Sequence, residues 1–458
     1  MHEKMSSPEH RFLRWLHDCG ASFPYLSWPH EFAWGRGAVA ISDVPAGKTV
    51  LSIPERLHLS IAKVHEDAPL RRALDTTEEL WSDDLVVLAL FVMREMERGE
   101  GSFYAPYLAI LPEPDGLLDW SHEERLRLDH GAAFEVSTRR VFDLYERLVA
   151  PMVREHPELF SAASDLERFR FALRTVQSRA FGQGGTSLIP MADCLNHANV
   201  AVRKSMASGE DGRLFEIAHL EGVAKGAEVL NSYGRIDNLD LLTRYGFCLE
   251  DNIHERYDIE LHADMERIPA GERASVCSTL GAERSAYLKL GSQDLPREAL
   301  SVARLASLDP SDVEALRGRG LAVPSHTGHE LRSLFWLKKR LSAELREHPT
   351  SIEDDREELL CIGRREPRYR WALIYRIGQK SILTLALERV DRLIQALEES
   401  ATKGAPGGHP NAVAARLDAW VSGDQIEHTV EYTSDPSANA EPGTRYLHEL
   451  GSVTGSDV

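Results

Sequence analysis

Cysteine is scarce in this chain of 458 residues: the five stand at positions 19, 194, 248, 277 and 361. They are odd in number, far apart, and never spaced Cys-x-x-Cys, which argues against a zinc ribbon, a dithiol redox motif or a disulfide framework. Long apolar runs are missing as well. None approaches the ~18–20 residues that a membrane span needs. The first twenty residues scatter Glu3, Glu9, Arg11, Arg14 and Asp18 among apolar positions, without the continuous apolar stretch of a signal peptide. An intracellular protein is therefore expected. The cytoplasm is the expected compartment; the nucleus stays open, although no basic cluster suited to import is visible. Positive charge is in deficit, with 53 basic against 72 acidic side chains and a formal charge of -19. Such a balance repels phosphate backbones, so nucleic acid is not an expected direct partner. It suits a basic protein substrate, and it equally serves solubility alone.

Against these absences, 43% hydrophobic and 27% charged residues describe an ordinary globular protein. The length exceeds one hydrophobic core, so two or three domains are expected. Phe12, Leu13, Trp15, Leu16 and Cys19 fall on one helical stripe. Strand character follows at 38–41 and 49–53 around the turn signal Pro45-Ala-Gly47, with a short further strand at 57–59. Asp83-Asp84 can cap a helix through Leu85–Met93 that stops at Gly99, and more helix is expected at 135–154 and 165–180. Strands return at 186–195, 213–220, 227–233 and 257–261, with a short helix at 238–247. From 268 to 400 the pattern is helical, most plainly over 371–398. Gly and Pro crowd 402–411, and 412–458 is polar and aperiodic. No internal repeat is visible.

Gly35-Arg36-Gly37-Ala-Val-Ala40 fits a dinucleotide fingerprint, but that motif needs a helix behind it. Here a strand-like run follows, then Pro45 and Gly47, so a nucleotide-binding α/β unit is not supported. Two later stretches are richer. Ile189-Pro-Met-Ala-Asp193-Cys-Leu-Asn196-His197 ends an apolar run with an acid, an amide and an imidazole. Glu228-Val-Leu-Asn-Ser-Tyr233-Gly234 ends a strand-like run in Tyr-Gly, and Leu241-Leu-Thr-Arg-Tyr245-Gly-Phe247 follows. Between them and the glycine pair lies Val176-Gln-Ser178-Arg179-Ala-Phe181.

In order and spacing these segments resemble the SET-domain protein methyltransferases, and in particular the branch that contains the Rubisco large-subunit lysine methyltransferase. Ser178-Arg-Ala-Phe181 resembles a signature of that branch, and 300–305 and 375–383 resemble parts of its substrate-binding domain. Many histone-type members carry cysteine-rich zinc clusters, which this chain lacks. The resemblance covers about residues 10–398. It implies an α+β fold: a β-rich SET domain with a pseudoknot-like core, interrupted by a helical insertion and followed by an all-helical domain. The expected divisions are 1–61, the insertion 62–180, the second SET part 181–265, the helical domain 266–400 and a flexible tail 401–458.

The resemblance also implies roles. S-adenosyl-L-methionine is the expected cofactor, held by Trp34, Gly35, Arg36, Gly37, Arg179, Asn196, His197 and Tyr233. Trp34 stands where the family often has a charged residue, which leaves backbone contacts there. Tyr233 is the expected catalytic residue: its hydroxyl would orient a neutral amine for in-line methyl transfer. Arg179, Phe181, Asp193, Tyr245 and Phe247 would face the substrate, aromatic faces being favourable to an ammonium tail. Each residue has a plainer reading too: turn glycines, an Arg in a surface ion pair, a structural His, a Tyr-Gly-Phe that closes a helix. No metal is expected, because no second His or Cys lies at ligand spacing.

Apolar Phe181 and small Ala192 resemble the lysine-methylating members, whereas the actin-histidine methyltransferases carry a polar residue and a Trp there. The expected activity is thus methylation of a lysine in a non-histone protein docked on the helical domain, by a monomer that binds neither nucleic acid nor membrane. A histidine methyltransferase, or a silent SET-fold scaffold, is the alternative.

Overall fold

The computed structural model describes residues 7–32, 35–129, 141–161, 163–209, 212–291, 295–317, 320–322, 326–363 and 366–402. The tail beyond 402, the start of the helix expected at 135–154, and Trp34 lie outside them.

The N-terminal helix Pro8–Asp18 starts where the Ser7 hydroxyl accepts the His10 amide, and it buries Phe12 and Leu16. Three small antiparallel sheets surround one core. β1 (Leu26–Phe32) and β2 (Gly35–Ala40) form a hairpin whose second strand also pairs with β9 (Glu228–Val229). β3 (Thr49–Pro54), β8 (Gly212–His219) and β7 (Val202–Gly209) form the second sheet. β4 (Leu59–Ser60), β6 (Ser187–Leu188) and β5 (Ala180–Phe181) form the third. The helical insertion is anchored by Asp84–Arg98. The Asp83 carboxylate caps it, every residue from Leu85 to Met93 is buried, and Gly99 at φ +52° ends it. It packs against the helix Leu166–Arg179, whose C-terminus delivers β5.

Several elements differ from expectation. Most of 186–195 is not strand: β6 stops at Leu188, Met191 takes φ +75°, and Ala192–Cys194 coil into one 3₁₀ turn. Likewise β9 ends at Val229, after which a single parallel bridge joins His197 to Asn231. β7 was not anticipated, because its charged and polar residues sit half-buried along the neighbouring β8 instead of alternating with apolar ones. The expected strand at 57–59 begins two residues later, after the 3₁₀ turn Glu55–Leu57.

The C-terminal part has its own core and, among the described residues after 266, is helical but for one strand. β11 (Ser285–Gly291) pairs in full register with β10 (Arg256–His262), burying Leu288 and Leu290 while Tyr287 stands exposed. That period-two stretch lies within an otherwise helical pattern. Around it pack the helices Arg297–Ala306, Thr327–Glu347, Ile352–Ile362 and Pro367–Thr402. Arg304 and Glu330 meet there through two hydrogen bonds of 2.8 and 2.7 Å, both side chains at most 4% exposed.

A third apolar cluster ties the two parts together. Leu117, Trp120 and Leu128 from the helical segment before β5, Leu242 and Cys248 from the segment between β9 and β10, and Ala372, Ile374 and Tyr375 from the long helix share it. Beside it lies Glu255, 3% exposed, whose carboxylate accepts from Gln379 at 3.1 Å and from the Arg256 amide at 3.0 Å. Burial, reinforced by Asp237, raises its pKa from 4.5 to about 8. Its folded pKa is above its unfolded one, so the stability it contributes is present below pH 4.5 and is lost as pH rises toward 8. Glu255→Gln removes that titration. The variant is expected to gain about 4 kcal/mol relative to wild type between pH 5 and 9. Urea unfolding at both values checks this; parallel pH dependences would refute it.

Candidate active site

The two motif-bearing stretches run side by side. The Asn231 amide donates to the Asn196 carbonyl at 2.7 Å, and the Ala198 amide donates to the Asn231 carbonyl at 3.0 Å. This places Asn196-His197 directly against Ser232-Tyr233. The Tyr233 amide donates to His197 Nδ1 at 3.0 Å, and the two rings stack at 4.9 Å and 17°. An amide N–H can only donate, so Nδ1 accepts and the imidazole proton sits on Nε2. Nε2 is buried and has no hydrogen-bond partner among the described residues. Burial lowers the His197 pKa to about 4, so the ring is neutral at physiological pH.

Tyr233 is fixed from its other end as well. Its hydroxyl donates to the Leu195 carbonyl at 3.0 Å, and burial pushes its pKa up, so it stays a phenol. Tyr245 lies 4.8 Å from the Tyr233 ring, Phe247 6.3 Å beyond Tyr245, and Trp371 of the long C-terminal helix 6.5 Å beyond Phe247 at 67°. Tyr245 is presented at the end of the helix Asn238–Tyr245, closed by Gly246 at φ +78°. A Cβ at Gly246 would come within 2.6 Å of the Asp115 carbonyl, so the insertion presses directly on this turn.

A cleft open to solvent is lined by Arg179, Phe181, Asp193, Tyr233 and Tyr245, together with Lys204 and Gln183. Arg179 enters from the C-terminus of its helix and donates from Nη1 to the carbonyl and the carboxylate of Asp193, both at 3.1 Å. Burial works against the guanidinium charge, but Asp193 outweighs it and raises the pKa. The second Asp193 partner is the hydroxyl of Tyr107, at 2.7 Å. The Asp193 carboxylate is only 1% exposed, turned inward to these partners. Phe181 packs edge-on against Phe215 at 5.2 Å, and Lys204 Nζ stands 5.5 Å from its ring centroid.

The glycine pair meets the same structure from the side. The Asn196 amide donates to Glu228 at 2.7 Å, and both press on Gly37: a Cβ there would lie 2.6 Å from Asn196 Nδ2 and 2.7 Å from Glu228 Oε1. Gly35 holds φ +121°, a conformation that side chains resist. Arg36 goes elsewhere. Its guanidinium donates to the Ile110 carbonyl at 2.6 Å and to Glu9 at 3.3 Å, over the Trp28 ring, tying the N-terminal helix to β2. Gly37→Ala forces Asn196 or Glu228 to move. It is expected to cost about 1–3 kcal/mol and to weaken S-adenosylmethionine binding at least tenfold by calorimetry. Unchanged affinity would place the cofactor away from β2.

Of the residues singled out in the sequence, then, Arg179, Phe181, Asp193, Tyr233 and Tyr245 share one cleft, with His197 and Phe247 beside it and Gly37 and Asn196 in mutual contact. Trp34 lies outside the described residues. Tyr107, Glu228, Lys204 and Trp371 join the site without having been anticipated. Among the described residues no group of three or more His, Cys, Asp or Glu could hold a metal ion. No described helix is long and apolar enough to cross a membrane.

A split β core around such a cleft, followed by a helical domain, defines a SET-type fold. Solved structures share it. That of Rubisco LSMT bound to sinefungin and monomethyllysine superposes with a TM-score of 0.67 at 23% identity, covering 90% of this chain and 100% of that one. That of the LSMT SET domain bound to lysine and AdoHcy gives 0.66 at 22%, covering 91% and 99%. Residues 266–383 match the Rubisco LSMT substrate-binding family model. The chain is 28% identical over 416 residues to the chloroplastic [fructose-bisphosphate aldolase]-lysine N-methyltransferase of Arabidopsis thaliana, covering 84% of this chain and 83% of that relative. It is 27% identical to the N-lysine methyltransferase SETD6 of Bos taurus over 62% of this chain and 66% of that one. The chain thus shares the SET-type fold of these structures, and its C-terminal part matches the Rubisco LSMT substrate-binding family.

Proposed function

We propose that the protein is an S-adenosylmethionine-dependent protein-lysine N-methyltransferase acting on a non-histone protein. The observation that carries this reading is the Tyr233 phenol, held by Leu195 and stacked on neutral His197 at the wall of a narrow aromatic cleft. When bound, S-adenosylmethionine supplies an electrophilic methyl group. The residues that would hold it are the backbone of Gly35–Gly37, Arg179, Asn196 and His197, whose buried Nε2–H has no acceptor among the described residues. The chain's own task is to bring a neutral amine, point its lone pair and exclude water. Tyr233 orients the amine, while Tyr245 and Phe247 wall the channel. Asp193 is committed to Arg179 and Tyr107, so it holds the site in shape instead of taking the proton, and the amine must enter deprotonated.

Phe181 supports lysine over histidine, since its apolar ring offers no hydrogen bond to an imidazole. The protein substrate docks on the C-terminal helical domain, and the enzyme works as a monomer inside the cell. The test is transfer of radiolabelled methyl from S-adenosylmethionine into lysate proteins, followed by mass spectrometry of the labelled band. Methyl-lysine is expected. Methyl-histidine would select the other branch, and no cofactor binding would leave a scaffold.

A further inference from the structure

On the methyltransferase reading proposed above, on which this rests, we infer that Tyr107 is a positioning residue for the cofactor: by holding the Asp193 carboxylate it keeps one edge of the Arg179 guanidinium open to a carboxylate in the cleft. An arginine and an aspartate often pair through two parallel bonds, two nitrogens to two oxygens. Arg179 and Asp193 do not. Both hydrogen bonds of Arg179 come from Nη1, one to Asp193 Oδ2 and one to the Asp193 carbonyl, each at 3.1 Å. Among the described residues Nε and Nη2 make none, on a side chain that lines the cleft. An unused guanidinium edge matches a carboxylate in shape and charge, and the only carboxylate of S-adenosylmethionine is at its methionine end.

The single-point geometry of the pair is held by Tyr107. Its hydroxyl donates at 2.7 Å to Oδ2, the same oxygen that Arg179 uses. Asp193 Oδ1 meets only the Cys194 thiol among the described residues, at 3.8 Å. The Tyr107 hydroxyl is therefore the contact that stops the carboxylate from turning both oxygens onto the guanidinium and closing its free edge. The aim of that hydroxyl is fixed. The Tyr107 side chain has no exposure, and its ring packs 6.0 Å from Phe12, itself edge-on to Trp28. Burial and the Asp193 charge push the Tyr107 pKa well up, so the group remains a donor. Tyr107 is not among the cleft-lining residues. From the short helix Ala105–Leu108 it acts on the cleft through Asp193 alone.

The experiment measures, by calorimetry on the full chain, the affinity for S-adenosylmethionine and for decarboxylated S-adenosylmethionine, which keeps the sulfonium and the amine but lacks the anion. Wild type is expected to prefer the intact cofactor by about tenfold or more. Tyr107→Phe keeps the ring. It is expected to weaken S-adenosylmethionine binding about tenfold and to change affinity for the decarboxylated compound less than about twofold. In an Asp193→Asn background the neutral amide has no second oxygen to offer Arg179. There the same Tyr107→Phe change is expected to alter S-adenosylmethionine affinity less than about twofold. A merely structural Tyr107 would weaken both ligands alike, and in both backgrounds. Equal or complete loss for the two ligands, no loss for either, or a selective loss that persists in the Asp193→Asn background would overturn the inference. Wild type that binds S-adenosylmethionine without preferring it to the decarboxylated compound would also overturn it, leaving the methyltransferase reading standing. Failure of wild type to bind S-adenosylmethionine would remove that reading, and the inference with it.

Discussion

Tyr233→Phe is expected to lower kcat by about 10²–10³-fold, the usual scale for losing one hydroxyl that acts in the transition state, while cofactor affinity changes less than threefold. The ring is what stacks on His197 and abuts Tyr245, and Phe keeps it; only the hydroxyl and its bond to Leu195 are lost. The backbone amide that fixes the His197 tautomer is untouched. The fold, the aromatic wall and the imidazole therefore survive, and the deficit falls on orienting the amine. Single-turnover methylation beside calorimetry of S-adenosylhomocysteine separates the two. Full activity in the variant would remove Tyr233 from the chemistry; a parallel fall in cofactor affinity would make it a binding residue.

Asp193→Ala is expected to destabilise the protein by about 3 kcal/mol, because it strips the carboxylate from a guanidinium that lies between the cleft and the core. It also leaves the Tyr107 hydroxyl, in a side chain with no exposure, without its acceptor. Asp193→Asn keeps an acceptor for Tyr107 but loses the charge facing Arg179, and should cost less than half as much. Urea midpoints order the variants. A loss below 1 kcal/mol for Asp193→Ala would mean that Arg179 finds another partner, and that Asp193 does not brace the site.

The site was legible to the extent that its parts travel together in sequence. Asn196-His197 and Tyr233-Gly234 are short, chemically distinctive segments, and each carries its main-chain context with it. They meet through backbone bonds that hardly depend on the side chains around them. Tyr107 was not legible. It reaches Asp193 across 86 positions, and nothing beside it in the helix Ala105–Leu108 distinguishes it from a core tyrosine. Lys204 was missed for another reason. Its strand lacks apolar alternation, so the segment looked like a connection, and a lysine on a connection draws no attention. Arg36 sits between two informative glycines, and its side chain serves the N-terminal helix, which leaves its backbone for the expected cofactor contact. The helical content of the C-terminal part followed from its periodicity. The strand β11 did not, because seven residues of alternation are too few to stand out.

The aromatic run from His197 through Tyr233, Tyr245 and Phe247 ends on Trp371, a residue of the long C-terminal helix. The helical part of the molecule, proposed above to dock the substrate, therefore also supplies the last ring of the aromatic run beside the candidate cleft. Such a domain is not an interchangeable adaptor. Grafting in a relative's helical domain would carry a foreign side chain to the outer end of that run, against Phe247.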